Sequence, residues 1–438
     1  MHPISSFPLK NLESKLRWIL PADLYAAAWV KPGVESLTGV FEHLRALHRV
    51  LADYVPPDVS DQSFDPYCQP CCQVVENTLM FTDLAGFTSL MEANATRGKT
   101  GATELLNILN HYFATALEII SLSGGELLEF TGDAMLIRFS SQQNTPRSTA
   151  QAVRAGLRLQ RAMEQFCCLE TTEGTYSLGM RIGIHTGRYL TANIGTPMRM
   201  DYVLLGENVR QTKKAEGAGT VGRVCLTETA YQQVKEHFHF EPTTEAHHLV
   251  VDDFSEDQLG QYEIMLPRRH RSSHLVLMDR SMDGLVAAIA QAVEMIEPLC
   301  SYLPRHVLDL VVENVARRGI PADFADPTVL FVNLIGLSES AHPELSPEEN
   351  EAIATLYCHA FALINAAVES RGGMLKKVTY HLSSSDTMIL FGVPVAHANN
   401  AYRAAKAALA IREIIQELPL LNIGGQQIKV ACKIGMAQ

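Results

Sequence analysis

The chain has 438 residues, with 36 Lys and Arg against 48 Asp and Glu, a formal charge of −12. Apolar residues make up 47% and charged residues 19%, a globular composition long enough for two or three domains that each bury a core. The acidic balance excludes a protein that holds nucleic acid by neutralising phosphates, which needs a clustered basic surface.

No uninterrupted apolar run approaches the roughly 20 residues of a membrane span. The opening MHPISSFPLKNLESKLRW lacks the apolar stretch of a secretory signal, so a cytoplasmic protein is expected. Residues 1–75 hold a helix over Val34–Tyr54 and then a loop containing Pro and Asp. The loop carries Cys68, Cys71 and Cys72 in YCQPCCQ; no second pair stands at zinc-site spacing, so these read as ordinary thiols.

From residue 76 the pattern becomes regular. A strand over Thr78–Thr82 leads through Asp83 into a turn, and an amphipathic helix over Ala102–Ser121 stops at Gly124-Gly125. Strands Glu126–Thr131 and Ala134–Phe139 are joined by a tight turn at Gly132-Asp133. A helix over Ser148–Phe166 and a strand over Ser177–His185 complete a βαββαβ order, that of a ferredoxin-like α+β sandwich. Further strands (Arg188–Ile194, Asp201–Leu205), a polar helix near Asn208–Glu216 and a β-rich arm extend to Met265. Residues 267–283 read as a linker, and 284–318 as two helices, the second opened by Pro304 in its first turn.

The unit then repeats. LMFTDLAGFT at 79–88 recurs as VLFVNLIGLS at 329–338, GGELLEF from Gly124 as GGMLKKV from Gly372, and MRIGIHT at 180–186 as CKIGMAQ at 432–438. The divisions expected are 1–75, a first domain at 76–265, a linker with helices at 266–319, and a second domain at 320–438. Gln438 matches Thr186, far short of the first domain's end, so the second copy is expected to be incomplete and the chain a piece of a longer protein.

The two copies carry different chemistry. Asp83 stands where a strand runs into a Gly-containing turn and a helix start, and Asp133 in the turn of the neighbouring hairpin. Two carboxylates on one rim suit Mg²⁺, and the N–H groups after Asp83 make a phosphate cradle. Each Asp alone also reads as an N-cap or as ordinary turn chemistry.

The strings FTDLAGFT, GGELLEFTGDA, MRIGIHTG and YVLLGENV, in this order, resemble the catalytic domain of class III nucleotidyl cyclases. The two unlike copies are similar to the tandem domains of the soluble, bicarbonate-responsive adenylyl cyclases. That resemblance implies two ferredoxin-like domains in pseudo-two-fold tandem, paired within one chain, with a composite ATP site between them. It implies that Asp83, Asp133 and the carbonyl of Leu84 hold two Mg²⁺ or Mn²⁺. Gly86, Phe87 and Thr88 match the phosphate cradle, and Arg181 a polyphosphate contact that also reads as a solvated strand residue. Lys377 matches the adenine-reading lysine and also reads as a solvated strand-end Lys beside Lys376.

Copy two has Asn333 and, at about the second position, His381 in place of the metal carboxylates. Copy one has Glu129 and Val203 at the purine-reading positions, and Arg210 and Lys214 where an active partner has Asn and Arg. The losses are complementary, leaving one composite site. The positions that hold bicarbonate carry Glu129 and Lys213, and a carboxylate there repels an anion. The implied reaction is ATP to 3′,5′-cyclic AMP and pyrophosphate. The alternative is an inactive nucleotide-binding sensor regulating other domains further along a longer chain.

Overall fold

The computed structural model describes residues 9–56, 58–59, 71–140, 145–243, 246–260, 262, 279–315, 326–342, 344–381 and 384–438. Cys68, most of the 267–283 linker and the start of the SSSD stretch at 383–386 lie outside the described residues.

The chain opens with helices α1 (Glu13–Ile19), α2 (Ala22–Val30) and α3 (Val34–Tyr54). In α3 the residues Leu37, Val40, Phe41, Leu44, Leu47 and Leu51 recur every three or four positions, and all are buried. Their partner is distant in sequence. The first domain comes next, as β1 (Cys71–Ala85), α4 (Phe87–Ala95), α5 (Gly98–Leu122), β2 (Gly125–Thr131), β3 (Ala134–Phe139) and α6 (Thr145–Ala162). It continues as β4 (Leu169–Thr171), β5 (Gly174–Tyr176), β6 (Gly179–Thr196), β7 (Arg199–Leu205), α7 (Glu207–Ala218), β8 (Val224–Thr227), α8 (Glu228–Val234), β9 (Phe240–Pro242), β10 (His247–Val250) and α9 (Glu256–Leu259). Helices α10 (Met282–Cys300) and α11 (Arg305–Asn314) follow. They share one apolar core with α1–α3, in which Leu285, Ile289 and Val293 meet Phe41, Leu44 and Leu47. Pro304 stands at the N-cap of α11, one position before the first turn expected of it.

The second domain runs β11 (Thr328–Ile335), α12 (Pro347–Glu369), β12 (Gly373–His381), β13 (Ser384–Phe391), α13 (Asn400–Glu417), β14 (Leu421–Ile423), β15 (Gln426–Ile428) and β16 (Ala431–Ala437). Ser346, Pro347 and Glu349 start α12 with a capping box and a proline in the first turn. Its four-stranded sheet has the order β12-β13-β11-β16, and the first domain repeats that order as β2-β3-β1-β6 before adding β8, β10 and β9. This is the ferredoxin-like order expected in both copies.

Two strands read separately from the sequence are one. β6 runs unbroken from Gly179 to Thr196 and pairs with β1 along its length, Asp83 opposite Arg181. Its second half pairs with β7, and this ribbon leaves the first domain to cover the second. Leu190, Ala192, Ile194, Val203 and Leu205 lie in the same core as Leu330, Tyr357 and Phe361. At the ribbon's tip the Gly195 N–H donates to the Cys358 sulfur at 3.3 Å, and the Cys358 thiol to the Gly195 carbonyl at 3.1 Å.

Helices α5 and α12 have mean hydropathies of 1.2 and 1.4 over a span-length window, long and apolar enough on average to cross a membrane. A search for uninterrupted apolar runs misses them because polar residues break the runs. Each lays a face on its own domain's core, through Tyr112, Ala116 and Ile120 in α5 and Ile353, Tyr357 and Ile364 in α12.

Candidate functional site

Asp83 stands near the end of β1, and the strand's exit is shaped by Gly86. This residue has φ +89°, and a Cβ added there would meet the Ser177 carbonyl oxygen at 2.5 Å. Gly86 is also the N-cap of α4 and supplies no side-chain acceptor, so no side chain of the cap residue covers the N–H groups of the first turn, which begins at Phe87 and Thr88. Phe87 packs on the core below while Thr88 is exposed.

Asp133 reaches the same rim from the β2–β3 turn, because β3 lies directly beside β1. Burial raises the Asp133 carboxyl above the usual range; the Asp83 charge adds to this and Lys213 opposes it. The buried Tyr112 phenol under this rim is raised by burial, with both aspartates contributing. Thus the Asp83 charge reaches the Asp133 carboxyl named with it from the sequence.

Arg181 faces Asp83 across the β1–β6 ladder. Its Nη2 donates to Asp83 Oδ2 at 2.6 Å, and its Nε pairs with Glu216 Oε1 at 2.9 Å. Glu216 is only 4% exposed, and burial raises its carboxyl against the opposing pull of Arg181. It arrives through close packing of α7 on β6 at Gly183, where a Cβ would meet the Glu216 nitrogen at 2.2 Å. Sequence reasoning placed Arg181 but not this partner; the available signal was a glycine inside a strand. Arg210 and Lys214, on the same helix, both turn onto Glu207, Lys214 Nζ at 3.0 Å.

The second domain reaches this region with Lys377. Its Nζ donates to Glu129 Oε1 at 3.2 Å and to the carbonyl of Phe130, just before the Gly132-Asp133 turn. The two purine-position residues of the repeats therefore meet each other. Burial raises Glu129, and the Lys377 charge opposes that shift. In the second copy, Asn333 Nδ2 donates to Asp386 Oδ1 at 2.6 Å, across the β11–β13 ladder. An amide–carboxylate pair thus stands where Asp83 and Ala134 stand in the first copy.

Among the described residues, no group of three or more His, Cys, Asp or Glu side chains could cage a metal. The donors at the first rim are two carboxylates and the Leu84 carbonyl, all oxygen. That set fits a hard cation such as Mg²⁺ or Mn²⁺, which takes one or two carboxylates and fills its shell with water and phosphate. Burial first, and the Asp83 charge after it, disfavour the ionised Asp133 carboxyl, and a bound cation would offset both.

Residues 71–254 match the model of the adenylate and guanylate cyclase catalytic domain. Adenylate cyclase 1 of Rhizobium meliloti is 24% identical over 186 residues, covering 42% of this chain and 27% of that protein. Adenylate cyclase type 10 of Homo sapiens is 21% identical over 351 residues, covering 78% of this chain and 21% of that protein. The chain thus spans about a quarter of the length of these curated relatives. The crystal structure of the adenylyl cyclase CyaB from P. aeruginosa is similar over 42% of this chain and 97% of that one, with 25% identity and a TM-score of 0.37.

Proposed function

Starting from a first domain homologous to cyclase catalytic domains, we propose that this protein converts ATP to 3′,5′-cyclic AMP and pyrophosphate where its two repeats meet. One observation carries the reading. Asp83, Asp133 and Arg181 share a rim of the first sheet, and Lys377 reaches from the second domain to Phe130 beside that rim.

In this reading Asp83, Asp133 and the Leu84 carbonyl hold two Mg²⁺ or Mn²⁺. Bound there, such cations lower the pKa of the ribose 3′-hydroxyl and stabilise the attacking and leaving oxygens of an in-line displacement. The N–H groups of Phe87 and Thr88, behind Gly86, receive phosphate oxygens at the helix start. Arg181 leans from β6 toward the same space, where negative charge grows on the phosphate as the bond to pyrophosphate breaks. Lys377 donates to adenine N1, an acceptor; guanine presents an N–H there and is disfavoured. Asn333 stands in the second copy where Asp83 stands in the first, so in this reading one of the two pseudo-symmetric positions works.

The test is cyclic AMP formation by the purified protein with Mn²⁺ and ATP, its product identified chromatographically. Asp83→Ala and Asp133→Ala should each lower the rate by at least about a hundredfold, and Lys377→Glu should weaken ATP use. Wild-type protein that makes no cyclic AMP, or activity that survives either aspartate change, removes the proposal.

A further inference from the structure

The main chain on both sides of Lys377 is gripped by the first domain. Arg199 Nη2 donates to the Lys376 carbonyl at 2.8 Å, and Asp201 Oδ2 accepts the Val378 N–H at 2.9 Å. The two gripping residues alternate on β7, so both side chains leave one face of the ribbon. They close on an irregular stretch. β12 is the outer strand of its sheet, and its pairing with β13 slips between Leu375 and Lys377. A slip of this kind re-aims the neighbouring side chain and leaves main-chain groups without ladder partners.

The grip is also tied to the helical body. Arg199 is 5% exposed, its Nη1 donates to the carbonyls of Met200 and, at 3.2 Å, of Tyr302 between α10 and α11. The Met200 N–H donates to the Ser301 carbonyl at 2.8 Å. Burying a guanidinium and a carboxylate together is expensive, and an apolar pair would join the two strands as firmly. What an apolar pair cannot do is recognise one carbonyl and one N–H, and thereby fix the register of the chain that carries Lys377.

We propose that Arg199 and Asp201 are positioning residues for Lys377, a two-pronged clamp on the irregular edge of β12 that sets where its ammonium meets a purine. This rests on the reading of Lys377 given above. Because Arg199 also holds the Tyr302 carbonyl, the helical body and the purine-side lysine share one anchor.

The experiment measures affinities of the purified protein, with Mn²⁺, for the non-cyclising α,β-methylene analogues of ATP and GTP. It is run on Asp201→Asn, Arg199→Lys and Lys377→Met, and on each clamp variant combined with Lys377→Met. Each clamp variant should lower the adenine-over-guanine preference by about tenfold, the loss of one charged hydrogen bond. Added to Lys377→Met it should change that preference no further, since both act through one ammonium. An unchanged preference in Asp201→Asn, or a further loss on top of Lys377→Met, overturns the clamp. Asp201→Asn decides the matter should Arg199→Lys fail to fold. Amide exchange over residues 373–381 is read in parallel, and faster exchange at Val378 in Asp201→Asn is expected. If wild-type protein binds neither analogue, or Lys377→Met leaves the preference intact, the purine-site reading falls; unchanged exchange at Val378 then overturns the clamp separately.

Discussion

Replacing Arg138 with Met should loosen the attachment of the helical body to the first domain. Arg138 lies on β3 with its side chain 5% exposed. It donates from Nε and Nη2 to Glu126 Oε2 at 2.9 and 2.7 Å, and from Nη1 and Nη2 to Asp58, which follows α3. Asp58 also accepts the Tyr202 hydroxyl at 2.7 Å. Removing one member of a buried ion pair typically destabilises by 3–5 kcal/mol; with the two carboxylates 33% and 25% exposed and able to rehydrate, the lower end applies, about 3 kcal/mol. Arg161 is the control. It makes a similar set of contacts to Asp252 and Glu256, but at 27% exposure against partners at 32% and 87%, so Arg161→Met should lose about 0.5–1 kcal/mol. Both tryptophans, Trp18 and Trp29, lie in the helical body, so a urea titration read by tryptophan fluorescence follows the part that Asp58 anchors. At a slope of about 3 kcal/mol per molar urea, Arg138→Met lowers the midpoint by roughly 1 M. The acid side gives a second reading. Burial pushes Asp58 up, but hydrogen bonding to Arg138 outweighs it and holds the carboxyl below its usual range. A depressed folded value means that this stabilisation is complete above about pH 4 and disappears as pH falls through the folded value, so the variant should lose that limb. Equal losses for the two arginine variants, or an acid limb unchanged in Arg138→Met, would refute the burial argument.

Asp133→Asn should raise the melting temperature at pH 7 while abolishing cyclic AMP formation. A raised folded value makes stability fall as pH climbs through it, and the amide removes that penalty; the two proteins should converge near pH 3. Mn²⁺ affinity of the wild type, by titration calorimetry, should drop as pH is lowered through the same range, beginning above the ordinary carboxylate value. Gly86→Ala forces φ +89° on a residue with a Cβ, which costs about 1–2 kcal/mol before the contact with the Ser177 carbonyl is counted. A variant with an unshifted thermal midpoint would show that the turn after Asp83 is not held as described.

Repetition made the sandwich legible. Each copy carries the same strand–helix–Gly-Gly–hairpin order, and the hairpin Glu126–Thr131 with Ala134–Phe139 is found within a residue of its expected limits. The sequence reading showed a strand at Arg188–Ile194 but not its continuity with Ser177–His185, because a long ribbon looks locally like two strands with Gly187 between them. The shared core of Val34–Tyr54 and Met282–Cys300 was out of reach for a different reason. Amphipathic patterning says that a face is buried and is silent about which distant face covers it. Asp83 and Asp133 stood out because a strand end and a turn constrain them locally, whereas Arg181 came only with the resemblance. Glu216 did not stand out, since a carboxylate on a polar helix reads as solvated until the opposing surface is known.

Glu129 and Lys377 occupy equivalent places in the two repeats, each just after a slip in strand pairing, and they meet at 3.2 Å. Two identical copies would set like charges there. At an effective dielectric of about 20, unit charges so close repel by about 5 kcal/mol, enough to force the halves apart or neutralise one group. Divergence to opposite signs turns the same geometry into an attraction, and it leaves one ammonium to face one nucleotide. A charge swap separates these two consequences. Lys377→Glu alone should weaken the pairing of the repeats and lower the urea midpoint, because two carboxylates then face each other. Adding Glu129→Lys restores the opposite signs and should restore the midpoint, yet the ammonium now belongs to the first domain and adenine selectivity should stay lost. Recovery of both properties in the swapped protein would mean that the charge pair matters only for cohesion and that Lys377 does not read the purine.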